Sequence, residues 1–169
     1  MRHWALSAVA AVAILTSSSA RAQQGPISGS YVLDRGRSDD VFQAIESGVA
    51  GRSDVTLSLT RRLRKACAPA YAIRISFSAG RLSIKNDAKP LIVVWTGGES
   101  IEWKLEDGQV FDVSAKGDGE AVSLTVRAPD SERTTVYRSV GQQLVAETVV
   151  TSPLLSTPVR YKVFYNRAN

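Results

Sequence analysis

The sequence predicts an all-β fold: an antiparallel up-and-down barrel of about nine to ten strands, with one N-terminal helix after the first strand. Three observations carry this expectation. From Tyr71 onward, apolar and polar residues alternate with the two-residue period of a half-buried strand. Turn residues interrupt that alternation at short intervals, so successive strands pair as a meander. Helical spacing, in contrast, marks one stretch near the N-terminus.

The first 22 residues read as a cleaved leader. Arg2 gives a positive end, Ala5 to Leu15 is an uncharged apolar run, and Ala20-Arg21-Ala22 has the A-x-A form of a cleavage site. The run is about half the ~20 residues that a spanning helix needs. Residues 1–22 are therefore expected to be a signal peptide. Residues 23–169 are expected to form a single domain, periplasmic or secreted, with no transmembrane span in the mature chain.

Gly29 to Leu33 makes a compact first strand, closed by Asp34 and Gly36. Ser38 stands as the N-cap of the helix, with Asp39 and Asp40 in its first turn, where the helix dipole favours negative charge. Val41, Phe42, Ile45 and Val49 recur at helical spacing, and Gly51 can end the helix. Ser53 to Ala68 fits two readings. Val55, Leu57 and Leu59 alternate like a strand, whereas Leu59 and Leu63 share a helical face.

The meander follows. Tyr71, Ile73, Ile75 and Phe77 alternate with Ala72, Arg74 and Ser76, and Ala79-Gly80 turns the chain into Leu82 and Ile84. Asn86-Asp87 precedes Leu91 to Trp95, and Gly97-Gly98 reads as a turn before Ile101, Trp103 and Leu105. Asp107-Gly108 is a hairpin dipeptide, because tight hairpin turns need the positive φ that glycine adopts freely. Further strands are expected around Phe111 to Ala115, Val122 to Val126, Thr134 to Val140, Leu144 to Thr151 and Val159 to Asn166. A meander this long exposes two edges unless it curls round, and a barrel removes them.

Composition narrows the chemistry. The net charge is +5 over the whole chain and +3 once Arg2 and Arg21 leave with the leader, a mildly basic surface with no nucleic-acid footprint. His3 is the single histidine and leaves too, so Ser–His–Asp and Cys–His catalysis lose their base. Cys67 is the single cysteine, which excludes an intramolecular disulfide and leaves a zinc site with one thiolate and, after the leader, no histidine. Neither phosphate-cradling glycine motif occurs. The expectation is a binding protein, not an enzyme, with no catalytic residues, no metal and no cofactor. Glu102 and Asp112 alternate outward from apolar neighbours, and Glu147 faces out if Leu144, Ala146, Thr148 and Val150 take the inner face.

Two sets of residues remain as candidate contacts. Tyr71, Trp95, Trp103, Phe111, Tyr137 and Tyr161 all fall on strands, and large rings with polar tips suit an apolar pocket with a few hydrogen-bonding points. Arg61, Arg62, Arg64 and Lys65 form the one dense basic cluster, a contact surface for an anionic partner or an envelope protein.

The order of strand, immediate helix and long meander resembles the calycin superfamily, the lipocalins and fatty-acid-binding proteins. Gly29-Ser30-Tyr31 stands where that family has G-x-W, and the chain ends on a strand, Val159 to Asn166, with no C-terminal helix. Gly29 to Asp40 is also similar to a group of uncharacterised exported bacterial proteins with G-[ST]-[WY]-x-L-D and a downstream S-D-D. The resemblance implies a lipocalin-like barrel with a ligand in its lumen. It departs at one functional point: Arg160 and Tyr161 are adjacent and face opposite ways, so the carboxylate-holding Arg-x-Tyr of fatty-acid-binding proteins has no match. Arg160 is expected outside.

Two functional readings follow. The first is an exported lipocalin-like protein that binds a small hydrophobic or amphipathic ligand. The alternative is a structural or interaction module of the cell envelope, with a filled barrel and the basic cluster as its contact surface.

Overall fold

A computed structural model describes residues 26–52, 57–87 and 89–168. The expected leader, residues 1–22, lies outside the described residues. The elements run β1 (Gly29–Asp34), α1 (Val41–Val49), α2 (Leu57–Cys67), β2 (Ala72–Ser78), β3 (Arg81–Asn86), β4 (Ile92–Trp95) and β5 (Gly97–Lys104). They continue with β6 (Val110–Gly117), β7 (Ala121–Ala128), β8 (Ser131–Val140), β9 (Gln143–Thr151) and β10 (Val159–Arg167). All ten strands belong to one antiparallel sheet, ordered β4-β3-β2-β1-β10-β9-β8-β7-β6-β5. The expected up-and-down barrel is what forms.

The sheet curls so that β4 and β5, its two ends, come side by side without a hydrogen-bonded ladder between them. Only Thr96 separates them in sequence, and its N–H and hydroxyl both donate to the Gly80 carbonyl. The barrel is therefore nearly closed, with one unzipped seam. Gly97 and Gly98, expected as a turn, instead open β5, where the register to β6 shifts between Gly97 and Ser100. The Asp107-Gly108 hairpin forms as its residues dictate, with Gly108 at φ 85°.

Inner positions alternate as the period-two pattern requires. Leu82, Ile84, Val94, Val113, Val122, Leu144 and Val163 are all at most 2% exposed. In β9 the inner phase is Leu144, Ala146, Thr148 and Val150, so Glu147 points out and pairs with Arg138 and Lys162. These two cations hold the Glu147 carboxyl below its ordinary range, through the Lys162 hydrogen bond first. Glu102, Asp112 and Arg160 are exposed, as expected.

Both helices follow β1. The helix expected from Ser38 is capped two residues later. Asp40 is its N-cap, accepting from the Phe42 and Gln43 amides. Ser38 and Asp39 serve β10 instead: Ser38 Oγ accepts from the Phe164 amide, and the Asp39 carboxylate accepts from the Lys162 amide at 2.7 Å. Tertiary pairing outcompetes a second local cap. Of the ambiguous segment, residues 53–56 lie outside the described residues, and the rest forms a second helix, α2, over Leu57–Cys67. Leu59, Leu63 and Cys67 recur every four residues and make one buried stripe. A strand would also put these three on one face but spread them over roughly 27 Å, whereas a helix gathers them within about 12 Å as one compact stripe.

Candidate ligand-binding cavity

α2 lies across one end of the barrel. Its apolar stripe points down and its cations lie around the rim. A helix leaves its last carbonyls without intrahelical partners, and here the barrel supplies them. The Ala66 carbonyl accepts from the Arg133 guanidinium at 2.6 Å and from Lys89 Nζ at 3.3 Å. The Cys67 carbonyl accepts from the Tyr161 hydroxyl at 3.3 Å. Positive charge at this end also complements the helix dipole.

Beneath α2 is a cavity of about 440 Å³. Leu59, Leu63 and Cys67 roof it, and Trp103, Phe111, Val126 and Val150 form its apolar wall. Trp103 and Phe111 are cross-strand neighbours on β5 and β6, with ring centroids 5.9 Å apart and tilted by 47°. The Trp103 indole N–H is buried and has no acceptor among the described residues. Arg62, Lys65, Lys89, Asp107, Asp130 and Arg133 edge the cavity. The volume and the apolar wall suit a small molecule with an oily body.

The aromatic candidates divide into three pairs. Trp103 and Phe111 line the cavity. Tyr137 and Tyr161 are buried inside the barrel but belong to its packed core rather than to the cavity wall. Tyr71 and Trp95 are corrected: they are 63% and 54% exposed and face solvent. Tyr71 precedes the first residue of β2, where the pleat no longer dictates its direction. Trp95 follows Val94, and since Ile92 and Val94 take the inner face, the pleat turns Trp95 out.

The basic cluster is largely neutralised. Arg62 pairs with Asp130 at 2.8 Å, Arg64 with Glu46, and Lys65 with Asp107 at 3.7 Å. Arg64 also lies over the Phe42 ring, 5.6 Å from its centre. Arg61 is exposed. Three of the four residues thus tie α2 to α1 and to the β5–β6 and β7–β8 turns.

Arg133, Lys89 and the cavity side of Cys67 were not singled out by the sequence. Arg133 carries a readable signal, since it shares the β8 phase of Tyr137, four residues on. A strand started at Thr134 loses it by one position. Lys89 comes from a loop, and only the closed barrel brings it to α2. Burial, then the Arg133 charge, pulls the Lys89 ammonium down to about 8. Burial raises the Cys67 thiol, with Arg133 opposing.

No protein-family model matches the sequence, and no curated protein matches it significantly. Solved structures do match in fold. A structure titled REP1-NXSQ fatty acid transporter has a TM-score of 0.57 at 15% identity, covering 85% of this chain and 96% of its own. Secretory abundant heat soluble protein 4 from Ramazzottius varieornatus has a TM-score of 0.56 at 16% identity, covering 86% and 96%. The fatty-acid-binding protein from Manduca sexta has a TM-score of 0.53 at 12% identity, covering 82% and 97%. The matches span 82–86% of this chain, and so this protein has the same β-barrel fold as these structures.

Proposed function

We propose that this chain is an exported, non-catalytic protein that holds a small hydrophobic or amphipathic molecule in the cavity under α2. One observation carries the reading: the barrel end is an aliphatic and aromatic hollow of about 440 Å³, roofed by a helix whose buried stripe faces it. The fold likeness to structures titled as a fatty acid transporter and a fatty-acid-binding protein supports it. Export rests on the leader-like residues 1–22. The absence of histidine from residues 23–169 supports binding over catalysis.

The rival reading, an envelope contact module, needs a filled barrel and a free basic face. The cavity, and the carboxylates that engage Arg62, Arg64 and Lys65, favour the ligand-binding reading.

Titration with uncharged N-phenylnaphthylamine tests the proposal. Saturable probe fluorescence is expected, with quenching of Trp103 emission, and Phe111→Ala should weaken binding about tenfold through lost ring contact. Wild-type protein that binds neither this probe nor others in a panel of apolar compounds would overturn it.

A further inference from the structure

The mouth of the cavity holds two cations that no carboxylate among the described residues neutralises. Arg133 is on the inner face of β8, and its cross-strand partners, Val126 and Val150, are 8% and 3% exposed. Lys89 reaches the same point from the loop between β3 and β4. Among the described residues, the one hydrogen-bond acceptor of both side chains is the Ala66 carbonyl, and no carboxylate lies within ion-pair distance of either. The nearby cations differ: Arg62 has Asp130 and Lys65 has Asp107. Those two acids also edge the cavity and are already committed.

Drawing two like charges together at a partly buried point is costly without a counter-charge. The lowered affinity of Lys89 for its proton has this cause, with burial as the larger part. A guanidinium offers five N–H donors in a planar fork suited to oxyanions, and the Ala66 carbonyl occupies little of that capacity. The apolar wall of Trp103 and Phe111 belongs to the same cavity.

We propose that Lys89 and Arg133 form an anion-holding subsite at the cavity mouth, which binds the ligand's acidic group beneath the end of α2 while its apolar part lies against Trp103 and Phe111. This rests on the cavity reading above and adds polarity to it. The preferred ligand is an amphipathic acid held head-outward, with a carboxylate, sulfonate or similar oxyanion as its head.

The test uses two dyes of matched ring system: anilinonaphthalene sulfonate, which is anionic, and N-phenylnaphthylamine, which lacks the sulfonate. Wild-type protein should bind the sulfonate more tightly. Lys89→Gln and Arg133→Gln keep an N–H for the Ala66 carbonyl and remove the charge. Each should weaken the sulfonate about tenfold and leave the uncharged dye within about twofold. Arg61→Gln removes the same charge from the exposed face of α2 and should change neither. Near-UV circular dichroism confirms that each variant keeps its packing.

Equal affinity of the two dyes for wild type, or equal losses for both in the glutamine variants, would overturn the subsite while leaving the apolar cavity standing. A general charge effect would show as an equal loss in Arg61→Gln, and that too overturns it. Failure of both dyes to bind wild type removes the cavity reading itself.

Discussion

Three tyrosines inside the barrel report on pH in one direction. Tyr137, Tyr161 and Tyr165 are at most 8% exposed, and burial raises each phenol above its ordinary value of 10.0. Below that value both folded and unfolded chains keep the phenolic protons, and the stabilising burial is fully present. Above it the unfolded chain releases protons that the folded barrel retains, so stability falls as pH rises. The urea midpoint is expected to decline above pH 10, and these phenols should ionise, by phenolate absorbance, only as the barrel unfolds. Ionisation of all of them at ordinary tyrosine pH with folding intact would contradict the burial argument. The sequence showed Tyr137 and Tyr161 in an inward phase. It could not show which rings meet a hollow and which meet other side chains, because both environments demand the same apolar alternation.

At the scale of elements, α1 depends on one close approach. A Cβ on Gly48 would stand 2.4 Å from Val159 Cγ2 and 3.3 Å from the Thr157 carbonyl. The Gly48 carbonyl accepts from both the amide and the hydroxyl of Ser156. Gly48→Ala improves helix propensity but overpacks this contact, so a net loss of about 1–3 kcal/mol is expected by urea denaturation. Asp40→Ala should cost about 1 kcal/mol through the lost cap, and Ser38→Ala should leave the cap intact. Ser, Asp and Asp in succession all suit an N-cap. The choice falls to Asp40 because β10 engages the other two, a contact 123 residues away in the case of Asp39 and Lys162. α2 was similarly undecided, since four residues of helix-compatible spacing also permit a strand until a barrel mouth presents something to cover.

The whole molecule is a barrel with one unladdered seam. β8 and β9 pair along nearly their full lengths, whereas β4 is four residues long and pairs only with β3. Backbone amides without ladder partners open with little loss of structure. Hydrogen exchange is expected to be fastest in β4 and on the β4-facing side of β5, and slowest in β8, β9 and β10. Uniform protection around the barrel would show that the seam is closed in solution.

By itself, the sequence determined the all-β class, the ten-strand count, the first helix and the outward course of Glu102, Asp112, Glu147 and Arg160. These follow from short-range rules: side chains alternate across a pleat, and glycine and aspartate mark the turns. Only the tertiary structure decided that β4 and β5 meet without bonding, that α2 is a helical roof, and that Trp103 and Phe111 face a hollow while Tyr71 and Trp95 face water. It alone brought Lys89 and Arg133 to one carbonyl. The physical reason is that closure joins residues far apart in the chain, and a periodic pattern records which face a residue takes but not what stands opposite it.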